Sequence, residues 1–433
     1  MGVRKLHMRQ AYRIIPVYTA DVSGVCSALY ELGGMTVIHD PSGCNSTYNT
    51  HDEIRWYDED SLIFISGLTD IDAIMGNDQG FLQDIRNAAE ELKPGFISLV
   101  SSPIPYMNGT DFAGLAEELE AELGIPVFSV PTSGMHDYVY GAGLALAEIA
   151  ERFTGDIGER NVQPHTVNLL GVTPLDFGPQ PGVDLMKKNL EAQGVKVLST
   201  WAMGSSTEEM RGAGDAEVNL VVSSVGIPAA NVLQKKFGTP FVVGTPLWGY
   251  ESVCAGTARE MAEARKQAGD RPDEEKRTFC QGAVSFGNER MISEGSGTAQ
   301  ELWKVDPAQV AYFRDRVTGR DPDTRSAHQE ITLIGEPVTM GSLAASIEKK
   351  YGRKVRVLCP LEITEGLLAE GDCKVTGEQE LEERLSCAEI IVADPLYRPV
   401  CPGTACFYEL PHIAFSGRIY LRDIEKLQKR REL

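Results

Sequence analysis

The chain has 433 residues, 42% of them apolar and 24% charged, and a net charge of −21. That length suits two or three domains of a soluble globular protein, and no apolar run approaches the roughly eighteen residues a membrane span needs. The acidic balance, with Lys and Arg grouped only in the closing stretch from Lys426 to Arg431, speaks against a nucleic-acid binder and suits docking to basic protein surfaces.

In chain order, the opening residues Met1 to His7 carry charge without a following apolar stretch, so no signal peptide is expected and the expected compartment is the cytoplasm. Met35–Ile38 and Leu62–Ser66 read as strands. Gln79–Leu92 has helical periodicity and stops before Lys93-Pro94-Gly95. Phe96–Val100 is a continuous apolar strand, Phe112–Leu123 a helix closed by Gly124, Pro126–Val130 a strand and Tyr140–Phe153 a helix. Continuous apolar strands spaced by helices imply parallel sheets covered on both faces. A polar break from Asp156 to His165 sets the first boundary, giving an N-terminal domain over 1–160.

A middle domain over 161–285 follows. Its strands are Thr166–Val172, Val195–Thr200, Ala216–Ser224 and Thr239–Gly244, and its helices Pro181–Gln193, Ile227–Phe237 and Trp248–Gly269. Asp270 to Arg277 is a charge-rich break, and Phe286 to Thr318 reads as a connecting helical segment opening the third domain, 286–433. There, strands are expected at Glu330–Ile334, Lys354–Cys359, Glu389–Ala393 and His412–Phe415. Helices are expected at Met340–Tyr351, Glu378–Leu385 and Arg418–Leu433. The expected fold class is α/β, with three tandem Rossmann-like parallel-sheet domains.

The nine cysteines are too few for a disulfide scaffold, and in a cytoplasmic chain any special ones bind metal or catalyse. Cys44 stands just past the Pro41–Gly43 turn that follows the Met35–Ile38 strand, and parallel sheets place ligand-binding groups at such carboxyl ends. Cys26 lies eighteen positions earlier, at the expected start of a short helix.

Several stretches together resemble the nitrogenase component 1 superfamily, which includes the nitrogenase molybdenum-iron protein subunits, their cofactor-assembly relatives and the dark-operative protochlorophyllide reductases. His39-Asp40-Pro41-Ser42-Gly43-Cys44 is similar to the family's His-Gly-x-x-Gly-Cys loop. Ser66-Gly67-Leu68-Thr69, Lys93-Pro94-Gly95-Phe96-Ile97 through Asp111, Leu333-Ile334-Gly335-Glu336-Pro337 and Pro411-His412 through Arg418 resemble further family segments in the same order. The resemblance implies an iron–sulfur cluster of the [4Fe-4S] type at a subunit interface, held by thiolates from such loops. It also implies a sister component 1-like subunit and an ATP-binding iron-protein reductase as partners. Thiolate is the soft anionic ligand such clusters use.

Of the family's three cysteine positions only Cys44 matches; the others fall near Thr19 and Pro103, with Cys26 as a displaced second candidate. A chain with one or two thiolates cannot complete a four-thiolate cluster alone. Ser102 could offer an oxygen, although a hydrogen-bonded loop serine is the commoner case. The strand end Val221 to Gly226 has no cysteine, which disfavours a nitrogenase-type metallocofactor and nitrogen fixation.

Other groups have plainer readings. Cys401 and Cys406 fit no zinc spacing and read as loop cysteines. His39 reads as a loop-fixing residue. His51, Asp52 and Glu53 are either surface groups at the reductase docking face, groups near the substrate, or a plain solvated helix start. Trp56 and Tyr57 read as interface or core packing rather than an electron relay. The Gly171–Gly178 loop could contact a ligand, but neither a Walker A nor a G-x-G-x-x-G is present, so ATP is assigned to the partner. The resulting expectation is a subunit of a two-component iron–sulfur oxidoreductase relaying electrons to a substrate. A carrier for a metallocofactor or tetrapyrrole is the alternative, and a cluster-free α/β binding protein a third reading.

Overall fold

A computed structural model describes residues 17–41, 53–56, 58–156, 158, 160–268, 301–315 and 331–431. Cys44, Cys280, His51, Asp52 and Tyr57 lie outside the described residues, as does most of the expected connecting segment.

The first unit runs α1 (Asp21–Leu29), β1 (Met35–His39), β2 (Leu62–Ile65), α2 (Asp70–Met75), α3 (Asp78–Leu92), β3 (Ile97–Ser101), α4 (Pro103–Asn108), α5 (Phe112–Leu123), β4 (Val127–Val130) and α6 (Tyr138–Phe153). Its sheet is parallel, in the order β2-β1-β3-β4. Alternate side chains go to opposite faces. Met35, Val37, Ile97 and Leu99 pack against Phe81, Ile85, Leu115 and Leu119 of α3 and α5. Ile38 and Val100 join the α1–α6 side instead. Every β1 and β3 residue is buried, as two-sided cover requires.

The α1–α6 crossing is unusually close, and glycine allows it. A Cβ at Gly24 would stand 2.2 Å from the Tyr138 carbonyl oxygen, and one at Gly141 only 2.0 Å from the Asp21 carbonyl oxygen.

The second unit comprises β5 (Gln163–Leu170), α7 (Pro174–Phe177), α8 (Pro181–Ala192), β6 (Lys196–Thr200), α9 (Thr207–Arg211), β7 (Ala216–Val221), α10 (Ile227–Phe237), β8 (Phe241–Val243) and α11 (Glu251–Ala268). Its parallel order is β6-β5-β7-β8. After α12 (Ala311–Asp315), the third unit holds β9 (Ile331–Ile334), α13 (Pro337–Tyr351), β10 (Val355–Cys359), β11 (Cys373–Lys374), α14 (Glu378–Leu385), β12 (Ile390–Ala393), β13 (Cys406–Glu409), α15 (Ile413–Ser416) and α16 (Leu421–Arg431). Its order is β11-β10-β9-β12-β13, again all parallel.

Four local expectations are corrected. His412–Phe415 is not a strand: His412 leads into the short helix α15, because the Asp394 carboxylate accepts from both the His412 amide and the Ser416 hydroxyl, at 2.7 Å each. Those two bonds close one helical turn over the acid. Cys406 is not in a loop but opens the edge strand β13. The helix expected from Trp248 starts at Glu251, since Trp248 and Gly249 both take positive φ, 59° and 84°. Cys26 is the sixth residue of α1 rather than its first.

One hydrophobic core runs through all three units, from Val25 and Ile38 through Leu170 and Leu220 to Ile334 and Ile391. Buried polar contacts lock the seams. Glu336, fully buried, accepts from the Ser224 amide at 2.9 Å and the Thr339 amide at 2.7 Å, joining the third unit to the second. The Asp137 carboxylate accepts from the Val139 amide that starts α6 and from the Glu362 amide of the third unit.

Candidate functional site

Two polar regions stand out. The first is the carboxyl edge of the first sheet, where β1 ends at His39 and Asp40. His39 Nδ1 pairs with Ser66 Oγ at 2.7 Å, and its ring stacks on Phe81 with centroids 4.1 Å apart. Burial lowers its pKa, so the neutral imidazole is favoured. This is the loop-fixing role read from the sequence. Asp40 is held by its backbone, its amide donating to Ser66 Oγ and its carbonyl accepting from the Leu68 amide.

His39 faces α3 through its contact with Phe81, and Asp40 follows it just past the end of β1. On the neighbouring strand His39 is in register with Ser101, so Asp40 and Ser102 are the residues that follow the ends of β1 and β3. Ser102 is the N-cap residue of α4, yet its side chain does not cap. Its Oγ and Asp40 Oδ2 are both buried without a hydrogen-bonding partner. Asp21, opening α1, is satisfied by comparison: its carboxylate accepts from the Val22, Ser133 and Gly134 amides. The desolvation of that carboxyl outweighs these bonds, and its pKa is raised.

The structure places the sequence-predicted ligands unequally. Cys44 follows Asp40 by four positions in sequence and lies outside the described residues. Cys26 is fully buried in the core face of α1. At about 1.5 Å per helical residue, it sits roughly 7 Å below Asp21. Burial, reinforced by the Glu53 carboxylate, pushes its thiol well above the ordinary range, which disfavours the thiolate that ligation needs. Thr19 and Pro103, at the family's other positions, do border the same edge. The Thr19 carbonyl accepts from the Tyr138 amide, and Pro103 opens α4 against Gly134. Among the described residues no three His, Cys, Asp or Glu side chains gather as a metal site.

Sequence reading missed the second region, which lies where the three units meet. Asp176 Oδ1 accepts from the Tyr138 hydroxyl at 2.5 Å and stands 3.4 Å from His412 Nε2. Asp176 Oδ2 accepts from Thr173 Oγ1 at 2.9 Å and Ser223 Oγ at 2.8 Å. Tyr138 comes from the first unit, Asp176 from the second and His412 from the third. The tyrosine hydroxyl is held neutral far above its usual pKa by burial and by the Asp176 charge. Neither ring nitrogen of His412 makes a hydrogen bond, and the ring stacks on Phe415. Asp176 and His412 line a cavity of about 60 Å³ with Phe177, Trp248, Met340 and Gln428. The sequence hints were thin: an acid inside the Gly171–Gly178 loop, and a histidine after Pro411.

A third network ties the first unit to the second. Arg55 is buried and donates to both Glu53 oxygens, to Glu31 Oε1, to the Ser27 carbonyl and to the Ala202 carbonyl. The Glu31 Oε2 atom accepts from the Gly204 amide at 2.7 Å. Glu53 is therefore a buried acid held by Arg55, which corrects the readings as an exposed docking group or a solvated helix start. Trp56 is 36% exposed.

Comparison with known proteins decides the family. A family model described as "Nitrogenase component 1 type Oxidoreductase" matches residues 23–285, more than half of the chain. The chain belongs to this family. Within it, three similar curated proteins are light-independent protochlorophyllide reductase B subunits. The one from Zygnema circumcarinatum is 32% identical over 97 residues, 22% of this chain and 19% of that protein. The one from Acaryochloris marina is 29% identical over 116 residues, 26% and 23% of the two chains. The one from Cereibacter sphaeroides is 27% identical over 194 residues, 44% and 35%. The chain thus matches between about a fifth and a third of these relatives' length.

A solved structure of nitrogenase Cp1 at pH 5 superposes with a TM-score of 0.60 at 15% identity, over 98% of this chain and 89% of that one. Nitrogenase Cp1 at pH 6.5 gives 0.59, over 98% and 93%. At that identity the likeness shows the nitrogenase component 1 fold and no more. No helix among the described residues is long and apolar enough to cross a membrane.

Proposed function

We propose that this nitrogenase-like oxidoreductase subunit holds an iron–sulfur cluster of the [4Fe-4S] type at the carboxyl edge of its first sheet, shared with a sister component 1-like subunit. Cys44 is its thiolate ligand, and an ATP-binding iron-protein reductase is the electron source. The observation that carries the reading is the pair of buried, unpartnered oxygens at the carboxyl ends of adjacent strands: Asp40 Oδ2, just past β1 and four residues before Cys44, and Ser102 Oγ, just past β3. Most buried polar groups are satisfied within a fold, and an edge built to hold a polar group can leave its oxygens for that group. The cluster would supply one-electron transfer there, and the chain's own residues would exclude water and position the loop.

Cys26 stays a reserve ligand, because α1 would have to open before its sulfur reached this edge. Asp176, Tyr138 and His412 are the groups of this chain suited to moving protons beside the interdomain cavity. A cavity of about 60 Å³ admits a few water-sized groups. A bulky substrate such as the tetrapyrrole named for the relatives would have to bind outside it, against the partner subunit.

The test is anaerobic purification of the chain, alone and with its sister subunit, followed by iron and sulfide analysis. The reading expects iron and sulfide in the wild type and their loss in Cys44→Ser. Absence of both from the wild-type complex would falsify it. Turnover with the cognate reductase separates an enzyme subunit from a carrier.

A further inference from the structure

We propose that Glu336 and Asp176 form a buried two-carboxyl pair that holds a single proton, with Glu336 as the neutral acid, and that this pair is the proton store for the cavity walled by His412. The inference rests on the proton-moving reading of Asp176 and adds the acid behind it; it does not depend on the iron–sulfur cluster.

Both carboxyls are sealed where the units meet. Glu336 is fully buried, and so is the side chain of Asp176. Among the described residues neither makes an ion pair with Lys or Arg; the basic group beside Asp176 is His412, its Nε2 3.4 Å from Asp176 Oδ1. The two acids hold consecutive residues of the connection from β7 to α10. Ser223 Oγ donates to Asp176 Oδ2 at 2.8 Å, and the Ser224 amide donates to Glu336 Oε1 at 2.9 Å. Two ionised carboxylates kept from water without a fixed countercharge are far costlier than one, so such a pair ionises singly.

The groups around each acid decide which one keeps the proton. Asp176 takes three hydroxyl donors, from Tyr138, Thr173 and Ser223, a set that suits the anion. Glu336 takes two amides, Ser224 and Thr339. The Ser224 hydroxyl lies against the same carboxyl, is buried and has no well-formed hydrogen bond. A buried hydroxyl rarely stays unpaired, and a protonated Glu336 resolves it, its O–H donating to Ser224 Oγ. Burial, and then the Asp176 charge, pushes the Glu336 pKa up against the pull of the two amides. The other titratable groups around the pair are Asp137 and Tyr138 at the start of α6 and Cys359 at the end of β10, all acids. The cation beyond them, Lys374 of β11, acts on Cys359 and donates to the Glu362 carbonyl.

Moving the proton from Glu336 to Asp176 keeps one negative charge in the pair, now on Glu336, where the two amides receive it. Asp176 is then the acid facing His412, whose ring lines the cavity of about 60 Å³. Neither ring nitrogen of His412 has a hydrogen bond, so the imidazole is free to accept that proton. The imidazolium would be the countercharge for the second carboxylate until the proton passes to an occupant of the cavity.

Infrared spectroscopy of the full chain in normal and heavy water tests the pair. An un-ionised carboxyl gives a carbonyl stretch above the amide band that moves down on deuteration. Wild type should show it at about pH 8, where Asp137, raised to about 6, and Glu148, raised to about 7, are mostly ionised. Glu336→Gln should remove the band. Asp176→Asn takes away the neighbouring charge and should lower the band's midpoint by at least about one pH unit, a roughly tenfold weaker hold on the proton. Ser224→Ala should move the stretch to higher frequency, because the carboxyl loses its acceptor. Thermal melting checks folding, and the last two variants carry the test if Glu336→Gln does not fold.

Three results overturn the proposal: no such band in wild type, its survival in folded Glu336→Gln, or an unchanged midpoint in Asp176→Asn with an unchanged frequency in Ser224→Ala. Iron and sulfide analysis of the same samples keeps the two readings apart. Iron without the band sinks the pair and leaves the cluster reading standing; the band without iron does the reverse.

Discussion

Replacing Arg55 by leucine tests how the first and second units are joined. Its side chain is 7% exposed, that of Glu53 1% and that of Glu31 14%. Three charges are thus buried together, one cation between two carboxylates, with Arg55 also stacked 4.5 Å from the Tyr30 ring centroid. Removing one partner of such a group leaves uncompensated buried charge and costs about 3–5 kcal/mol. Here two acids are stranded, so the upper half of that range is expected, near 4–5 kcal/mol. Over a cooperative unit of roughly 150–250 residues each kcal/mol moves Tm by about 2–4 °C, so the fall should be roughly 8–20 °C. Differential scanning calorimetry of the full chain measures it. Because Arg55 also anchors Ala202, whose φ of 97° is strained for a non-glycine residue, hydrogen exchange should rise around residues 200–205 in the same variant. The double variant Arg55→Leu with Glu53→Gln should recover part of the loss. A shift below about 1 °C for Arg55→Leu, with unchanged exchange at 200–205, would show that the network is not a clasp and would refute the reasoning.

Four further outcomes follow from the geometry. Burial, outweighing the Arg152 bond, lifts the Glu148 carboxyl to about 7. A folded pKa above the unfolded value of about 4.5 means stability is fully present below pH 4.5 and is lost as pH rises toward 7, by something of the order of 3 kcal/mol. Glu148→Gln should flatten the stability profile across that window, and an unchanged profile would count against it. His136, whose pKa is raised first by its hydrogen bond to Glu362, contributes stability in its protonated form below its unfolded pKa, lost as pH rises through the folded one. His136→Gln should abolish that part of the titration as read by NMR of the first–third seam. Gly141→Ala, with its Cβ 2.0 Å from a backbone oxygen, should force α1 off α6 and cost at least about 1–3 kcal/mol in urea unfolding; a neutral effect would mean the crossing is more pliable than drawn. Tyr138→Phe leaves Asp176 Oδ1 without its donor and should cost about 1–3 kcal/mol, with proton-coupled turnover slowed more than substrate affinity is weakened.

Much of the architecture was legible because its signals are local. Ile227–Phe237 and Glu378–Leu385 are the helices expected, residue for residue, since periodicity begins and ends at clear stops such as Gly238 with φ 65°. The apolar strands were found for the same reason. What escaped depends on tertiary contacts. The α15 turn exists because a buried Asp394 eighteen residues upstream collects its amide and hydroxyl, and nothing in His412–Phe415 itself announces that. β13 is an edge strand with exposed Cys406 and Tyr408, so it lacks an apolar run. Cys26 looked like a displaced ligand by spacing alone; only the α1 packing shows its thiol in the core. Asp176, Tyr138 and His412 come from positions 138, 176 and 412, and no window of sequence joins them.

The two polar regions are connected, and that link gives the molecule its functional sense. Residues 18 and 19 bridge them: the Tyr18 and Thr19 amides donate to the Ala414 carbonyl, two residues from His412, and the Thr19 carbonyl accepts from the amide of Tyr138. Two residues further, Asp21 binds the Ser133 and Gly134 amides at the carboxyl edge of the first sheet, where Asp40 and Ser102 stand. A short backbone path therefore runs from the proposed cluster edge to the acid–tyrosine–histidine centre, with Thr19 and Asp21 buried along it and Tyr18 46% exposed. Electron arrival at the edge and proton supply at the centre would then be neighbours within one chain. Yet the edge has one family thiolate position filled, and the cavity is too small for a large substrate. On the proposed reading both shortfalls would be met the same way, by a second subunit covering the edge. Separating the subunits should therefore remove the cluster and the substrate site together, while leaving the buried centre and the fold intact.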